Sequence, residues 1–256
     1  MKSIIKALLL AGAGSLAITG AALAADLSRP FPPPSAPVWN WTGIYAGVNG
    51  GYAWINDPVA FGGPMGQIGI RTNPSGTLFG VHLGYNWQWT DWVVGVESDI
   101  DWADLFASRN TTVFGVKGAD PFAFEAQQRL TAFGTLRGRV GYALDNLLMY
   151  ATGGVAYGRT ELDTSVGDVL AGQTCGPAGF CAAVSSPAWM VGWAAGVGFD
   201  WAFLPQWSFR SEYLHYDLGA VHQNLVDLAD PVGTVIRSSA NFRGDILRGA
   251  VSFKFN

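Results

Sequence analysis

Charged side chains recur at every second position in two segments of the sequence. Glu97, Asp99 and Asp101 form one set, and Arg137 and Arg139 form another. A spacing of two places side chains on one face of a β-strand. Arginine binds carboxylates through bidentate hydrogen bonds, so neighbouring strands would join these charges as ion pairs. The residues predicted to share one enclosed face are Glu97, Asp99, Asp101, Arg129, Arg137, Arg139, Arg210, Glu212 and Arg248.

Histidine and serine are the other candidates for chemistry. His215 and His222 are candidate haem ligands, because histidine is a common axial ligand, although an isolated polar histidine in a strand or loop is the simpler interpretation. His82 is expected to point inward. A protease, acyltransferase or phospholipase would need a nucleophile, and no Gly-x-Ser-x-Gly motif accompanies the serines. The sequence therefore predicts no enzyme and no cofactor.

The elements that must position these residues are strands. Phe79, Val81 and Leu83 alternate with Gly80 and His82, and residues 189–203 show the same period of two. This period predicts strands with two unlike faces. The predicted strands are 41–54, 77–89, 92–105, 127–144, 147–162, 189–203, 207–221 and 240–255. In 147–162, two outward faces remain open: Met149, Val155 and Tyr157, or Leu148, Tyr150 and Ala156.

The connections between these strands alternate strictly between short and long. The short ones are 90–91, 145–146 and 204–206, and the long ones are 55–76, 106–126, 163–188 and 222–239. Transmembrane barrels have short periplasmic turns and long extracellular loops, with an even strand number in bacterial single-chain examples. We therefore predict an all-β fold, an eight-stranded antiparallel up-and-down transmembrane β-barrel with four long extracellular loops.

Composition agrees with a membrane barrel. Hydrophobic residues make up 49% of the chain and charged residues 13%, and there are 11 tryptophans. Tryptophan favours membrane interfaces. The tryptophans expected to form a periplasmic girdle beside the short turns are Trp87, Trp89, Trp92, Trp201 and Trp207. The net charge of −4 and the lack of a basic patch exclude a nucleic-acid partner.

The first forty residues are expected to lie outside the barrel. Lys2 and Lys6 precede an apolar run that ends near Ala22-Leu23-Ala24, which predicts a signal peptide over 1–24. Residues 25–40 are rich in proline and are predicted to form an extended periplasmic leader. The single barrel domain is then 41–256, with both termini periplasmic in the outer membrane of a Gram-negative cell.

The two cysteines of this exported chain are Cys175 and Cys181, within Cys-Gly-Pro-Ala-Gly-Phe-Cys. The oxidising periplasm favours a disulfide between them that closes a surface loop. A zinc site is the weaker alternative, because two thiolates do not complete the usual shell of four ligands. No metal is therefore expected.

Four segments stand out: Trp41 to Gly47, Thr135 to Tyr142, Tyr150 to Gly158 and Phe209 to Tyr213. They resemble the small outer-membrane immunogenic proteins of alpha-proteobacteria, often labelled porin family. The final strand carries Phe253 and Phe255, and this aromatic end resembles the signal that the barrel insertion machinery recognises. The resemblance implies a surface antigen or membrane-integrity protein, with hemin binding or a small pore in some members.

The interior of an eight-stranded barrel is just wide enough to be filled by side chains. We therefore expect the charged set to be a salt-bridge network that plugs the lumen, rather than a gate or an ion path. The predicted function is a structural and surface-interaction (immunogenic) barrel; the alternatives are a narrow porin and a hemin or ligand receptor. Expected partners are outer-membrane lipid, the insertion machinery, host or surface ligands at the loops, and lipopolysaccharide at Arg71, Arg109, Arg159 and Arg237.

Overall fold

The computed structural model describes residues 39–63, 66–113, 122–168, 181–226 and 235–255. The signal peptide and nearly all of the proline-rich leader lie outside these residues and stay predictions. The strands are β1 (Gly43–Ile55), β2 (Pro58–Gly63), β3 (Gly66–Arg71), β4 (Ser75–Trp89), β5 (Trp92–Val113), β6 (Phe122–Leu144), β7 (Leu147–Asp168), β8 (Cys181–Leu204), β9 (Trp207–Val226) and β10 (Val235–Lys254). Among the described residues, no helix is long and apolar enough to cross a membrane.

Eight of these strands form a closed antiparallel ring. Their order is β1-β4-β5-β6-β7-β8-β9-β10, and β10 pairs back to β1 from Tyr45↔Lys254 to Ile55↔Gly244. Tight turns join β4 to β5, β6 to β7 and β8 to β9, and two of them use a positive φ at Thr90 and Asp145. The predicted eight-stranded antiparallel barrel is confirmed. We call the end with these turns and both ring termini the turn end, and the opposite end the loop end.

The loop end contains much more strand than predicted. Residues 55–76 include the hairpin β2–β3, and β2 pairs with β10 from Val59↔Ala240 to Gly62↔Arg237. Most described residues of 106–126, 163–188 and 222–239 also extend the ring strands, so the prediction of loops there was wrong. The polar composition that indicated loops belongs to outward faces exposed to solvent. The inward faces of the same segments are mainly apolar, and their buried polar side chains, Thr164, Gln223 and Ser238, are hydrogen-bonded to one another.

The ring opens on one side at the loop end. Pairing between β8 and β9 stops at Trp193↔Asp217, although both strands continue beyond it. Just past this pair, Gly219 has a φ of +88°, and its N–H donates to Asp217 Oδ1 at 2.8 Å. Glycine adopts such a conformation without the steric cost that a side chain would add. This local turn directs β9 away from β8.

The outer wall near the turn end is an apolar band. On β4 its outward residues are Phe79, Val81, Leu83, Tyr85 and Trp87. Five alternate residues of a tilted strand rise roughly 20 Å, close to the ~25 Å apolar height of outer-membrane barrels. On β7, Met149 is 54% exposed and Leu148 is buried, so Met149 and Val155 belong to the band. The open question about the outward face of this strand is thereby decided.

Candidate functional site in the barrel lumen

Nine buried charged side chains meet in the lumen within the height of the apolar band. Successive inward positions of each strand supply them, because alternate residues of a strand share a face. Strand β5 contributes three carboxylates, β6 two arginines, β9 one of each, and β8 and β10 one residue each. The members are Glu97, Asp99, Asp101, Arg137, Arg139, Asp200, Arg210, Glu212 and Arg248. We call this set the charged belt.

Arg137 joins three strands across the lumen. Its Nη2 lies 2.8 Å from Glu97 Oε1 and 3.0 Å from Asp99 Oδ2, and its Nη1 lies 2.9 Å from Glu212 Oε1. Its Nε donates to Thr135 Oγ1 at 2.8 Å, and the side chain has no solvent exposure. The guanidinium is therefore held on both edges by groups from β5, β6 and β9. Removing it would leave three carboxylates of the belt with fewer partners.

The other three arginines complete a continuous network. Arg248 lies 2.9 Å from Asp99, 3.3 Å from Asp101 and 2.7 Å from Glu212. Arg210 and Arg139 both bind Asp200, at 2.7 and 2.6 Å, and both approach Glu97, at 2.5 and 3.6 Å. Each arginine thus pairs with at least two carboxylates. Such multiple, hydrogen-bonded pairing is what makes buried charges tolerable.

Neutral side chains also donate hydrogen bonds to carboxylate oxygens of the belt. Tyr45 donates its hydroxyl to Glu97 Oε2 at 2.7 Å, and Tyr150 donates to Glu212 Oε1 at 2.9 Å. Thr135 donates to Asp99 Oδ2 at 2.6 Å, and Asn49 donates to Asp101. The Arg139 guanidinium also lies 3.9 Å from the ring centroid of Tyr150, a favourable cation–π distance. The belt is therefore a packed polar layer.

Arg129 does not belong to the belt, contrary to the prediction. Its side chain is exposed on the outer wall, 5.0 Å above the ring of Phe106. The register of β6 against β7 shifts between Leu130 and Ala132, and this extra residue reverses which positions face inward. Simple counting by twos from Arg137 crosses this bulge and so reaches the wrong face.

Asp200 was missed, although a signal for it existed. It lies on the small-residue face of β8, alternating with Phe199 and Trp201 on the apolar face, and this alternation already indicated the inward side. With Asp200 in and Arg129 out, the belt has five carboxylates and four guanidinium groups. Four acids and five arginines had been expected.

Two apolar clusters of described residues flank the belt, one on either side. At the turn end, Val93, Leu148 and Ala202 pack with Trp41 and Tyr150. At the loop end, a larger cluster fills the interior; its bulkiest members are Phe61, Phe124, Phe133, Tyr216 and Phe242. On β10 the order along the strand is Phe242, Ile246 and then Arg248, so the large cluster begins directly above the belt.

The other candidate residues are not members of the belt, although His82 lies beside it, with its ring centroid 6.2 Å from that of Tyr45. His82 is buried in the lumen with its Nε2 2.8 Å from Ser252 Oγ, whereas His215 lies on the outer wall with its Nδ1 2.8 Å from Asp245 Oδ1. His222 is exposed on β9, not in a loop as predicted. The four rim arginines, Arg71, Arg109, Arg159 and Arg237, are all exposed.

The disulfide remains untested, because Cys175 and the side chain of Cys181 lie outside the described residues. Within the described part of the chain, no group of three or more histidine, cysteine, aspartate or glutamate side chains is arranged to hold a metal ion.

Comparisons with known proteins agree with this architecture. The family model described as "Outer membrane protein beta-barrel domain" matches residues 9–255. The 31 kDa outer-membrane immunogenic protein of Brucella melitensis is 32% identical over 98% of this chain and 100% of its own length. The 25 kDa outer-membrane immunogenic protein of Brucella abortus is 27% identical over 98% of this chain and 99% of its own.

Among solved structures, the outer membrane protein OprG from Pseudomonas aeruginosa is 17% identical, with a TM-score of 0.48 over 85% of this chain and 98% of that one. The family assignment does not depend on this likeness. The matched family model spans nearly the whole chain, and the Brucella melitensis relative exceeds 30% identity over its full length. This chain therefore belongs to the outer membrane protein β-barrel family and is a relative of the outer-membrane immunogenic proteins.

Proposed function

We propose that this protein is a structural and surface-interaction barrel with a closed lumen. The observation that carries the proposal is the charged belt, whose four arginines are each paired with two or more carboxylates between two apolar clusters. An ion path would need mobile, hydrated charges along the whole lumen. Here the charges are buried and bound to one another, and hydrophobic side chains pack on both sides of them.

Energetics support a closed barrel over a narrow porin. Separating one partner from a buried, hydrogen-bonded ion pair costs about 3–5 kcal/mol, because the remaining charge stays buried without compensation. An eight-stranded barrel also offers little interior space beyond its own side chains. Opening a path would require several such separations, together with displacement of Phe133 and Phe242 at the loop end.

The proposed orientation has the turn end in the periplasm and the loop end outside the cell. Outer-membrane barrels place short turns on the periplasmic side. Trp89, Trp92 and Trp207 are exposed beside the turns, where an interfacial girdle would lie. Strands β5 to β10 continue past the apolar band at the other end, so they would project into the external solvent.

This projecting loop end is the part that would meet antibodies, host surfaces or other ligands. The two Brucella relatives are named outer-membrane immunogenic proteins, which supports a surface role for the same region here. The exposed rim arginines are proposed to contact lipopolysaccharide phosphates, and the aromatic end of β10 to engage the insertion machinery. No role as an enzyme is proposed.

Planar-bilayer recording tests the closed lumen. The protein, inserted at defined density, is expected to give no stable single-channel steps, while an open general porin in the same lipid gives its usual steps. Insertion is verified independently by the shift in gel mobility between unheated and boiled samples. Reproducible unitary steps from the wild-type protein would overturn the closed barrel in favour of the narrow porin.

A further inference from the structure

The outer face of the loop end contains a cleft of about 700 Å³ beside the hairpin β2–β3. Strand β10 lies at its centre, with Arg237 opposite Asn224 of β9 on one side and Gly62 of β2 on the other. One step along, Ser239 lies opposite His222 and Ala60. We call this depression the rim cleft. Its volume falls in the range of small-ligand sites.

The rim cleft exists because the residues along its floor have small side chains or none. The outward positions of the hairpin near it include Ala60, Gly62 and Gly66. A Cβ atom built on Gly62 or on Gly66 would meet no atom within 4 Å, so the space above the backbone is empty. Gly62 has an ordinary extended conformation, whereas Gly66 has a φ of +100°. A flat ligand can therefore approach the backbone of the hairpin closely.

The groups around this floor favour an anion that also carries hydroxyls. Arg237 supplies an exposed guanidinium, His222 an imidazole, and Asn224 and Gln67 amides that both donate and accept. Ser239 adds a hydroxyl. None of the described residues that line the cleft is a carboxylate, so a cation finds no counter-charge there.

A second depression, on another part of the ring, provides a contrast. It measures about 400 Å³ and is lined by residues of β5 to β8, with the carboxylate of Glu125 in place of an arginine. Its floor includes Gly167, where a built Cβ also meets no atom within 4 Å. The two depressions share open glycine backbone and polar rims but differ in the sign of their charge.

From these features we propose that the rim cleft binds an acidic saccharide, a sugar ring that carries a carboxylate or phosphate. The guanidinium of Arg237 pairs with the acidic group, the amides and Ser239 bind ring hydroxyls, and the ring lies over the glycine backbone. The cleft lies above the apolar band and does not involve the lumen, so the proposal holds whether or not the barrel conducts.

Binding is measured on the full mature chain in lipid nanodiscs, with tetragalacturonate as the acidic probe and maltotetraose as its neutral counterpart. Wild-type protein is expected to bind tetragalacturonate more tightly by about tenfold or more, since one charge-assisted contact is worth that factor. Gly62→Trp fills the cleft and should abolish binding, whereas Gly167→Trp, the same change in the acidic depression, should leave Kd unchanged. Arg237→Gln should weaken binding by about tenfold and reduce its dependence on salt.

Equal binding of the acidic and neutral probes by the wild type would overturn the proposal, and so would unchanged binding in Gly62→Trp. Gel mobility before and after boiling shows whether each variant is folded. A competition arm identifies the source of the natural ligand. Lipopolysaccharide in the nanodisc that lowers wild-type affinity for the probe would indicate a glycolipid of the same membrane; no such effect, with probe binding intact, would indicate a soluble or foreign saccharide.

Discussion

The two halves of this barrel are built with opposite polarity. Near the turn end, Leu136 and Val140 of β6 face outward while Arg137 and Arg139 face the lumen. Farther along the same strand, Phe124 and Ala126 face inward and Glu125 faces outward. The inward face of this one strand is thus charged near the turn end and apolar near the loop end.

The surroundings of each half explain the inversion. Around the apolar band the barrel is surrounded by lipid, so apolar side chains can face outward without a free-energy cost. Polar side chains have no hydrogen-bond partners in lipid and therefore pair inside the lumen. In the proposed orientation the loop end is surrounded by water, so burial of apolar side chains again drives packing there. The comparison teaches that inside and outside are defined by the solvent at each height of the barrel.

The largest expected effect comes from the charged belt. Arg137→Ala should lower the free energy of unfolding by about 3–5 kcal/mol, because Glu97, Asp99 and Glu212 lose a shared partner while buried. Arg129→Ala, which removes an exposed arginine from the loop half of the same strand, should cost less than about 1 kcal/mol. Guanidinium titrations of protein in vesicles, followed by tryptophan fluorescence, measure both. Equal losses would mean that the belt contributes no more than a surface arginine.

The loop-end core should respond as a water-soluble protein does. Leu162, which is fully buried on β7, lies in this core, and Leu162→Ala is expected to cost about 3 kcal/mol through lost burial and the cavity left behind. Leu136→Ala on the lipid-facing wall of β6 removes the same atoms but opens no cavity, so only their lost transfer into lipid remains and the cost should be smaller, about 2 kcal/mol. The same unfolding titration decides the matter, and a reversed order would contradict the proposed division into halves.

A charge introduced on the outer wall should distinguish the two solvents. Leu83→Arg lies in the middle of the apolar band and is expected to cost about 2 kcal/mol, the lower end for arginine at the midplane because the side chain can reach the interface. Gln127→Arg on the outer wall of the loop half should change stability by less than about 0.5 kcal/mol. Comparable losses in vesicles would show that the membrane extends farther along the strands than proposed.

The smallest effect is expected where β9 leaves β8. Gly219→Ala should cost about 1 kcal/mol, because an alanine at a φ of +88° is strained even though its Cβ meets only Met190 Cε at 3.8 Å. Gly153→Ala, on the band and without a positive φ, should be close to neutral. Hydrogen exchange of the β9 amides beyond Asp217 would show whether the loss is local. A neutral Gly219→Ala would mean that the bend does not depend on this conformation.

Alternation in the sequence was sufficient to predict the strands of the half of the barrel that contains the apolar band. The lipid-facing residues of β4 and β8, the three tight turns and the even strand number follow from local patterns and simple connection lengths. Eight of the nine residues predicted for the lumen charges lie there in the structure. These features are local because the period of two and the turn residues act over a few positions.

At the loop end the same signals predicted loops, since polar outward faces there resemble loop composition. Asp57, Glu125 and Arg237 all lie in regions predicted to be loops and all proved to lie in or directly beside strands. The hairpin β2–β3 depends on pairing with β10, which is more than 170 residues away along the chain. Local sequence patterns do not indicate such long-range strand pairing.

By itself, the sequence therefore determined the eight-stranded ring, the apolar band and the presence of inward charges, because each follows from short-range alternation. Only the tertiary structure decided that a bulge in β6 turns Arg129 outward, that Asp200 joins the belt, and that apolar clusters lie on both sides of the belt. A single extra residue reverses the face of every position beyond it, and the partners across a lumen come from distant strands. Both effects depend on register, which becomes definite only when the ring closes.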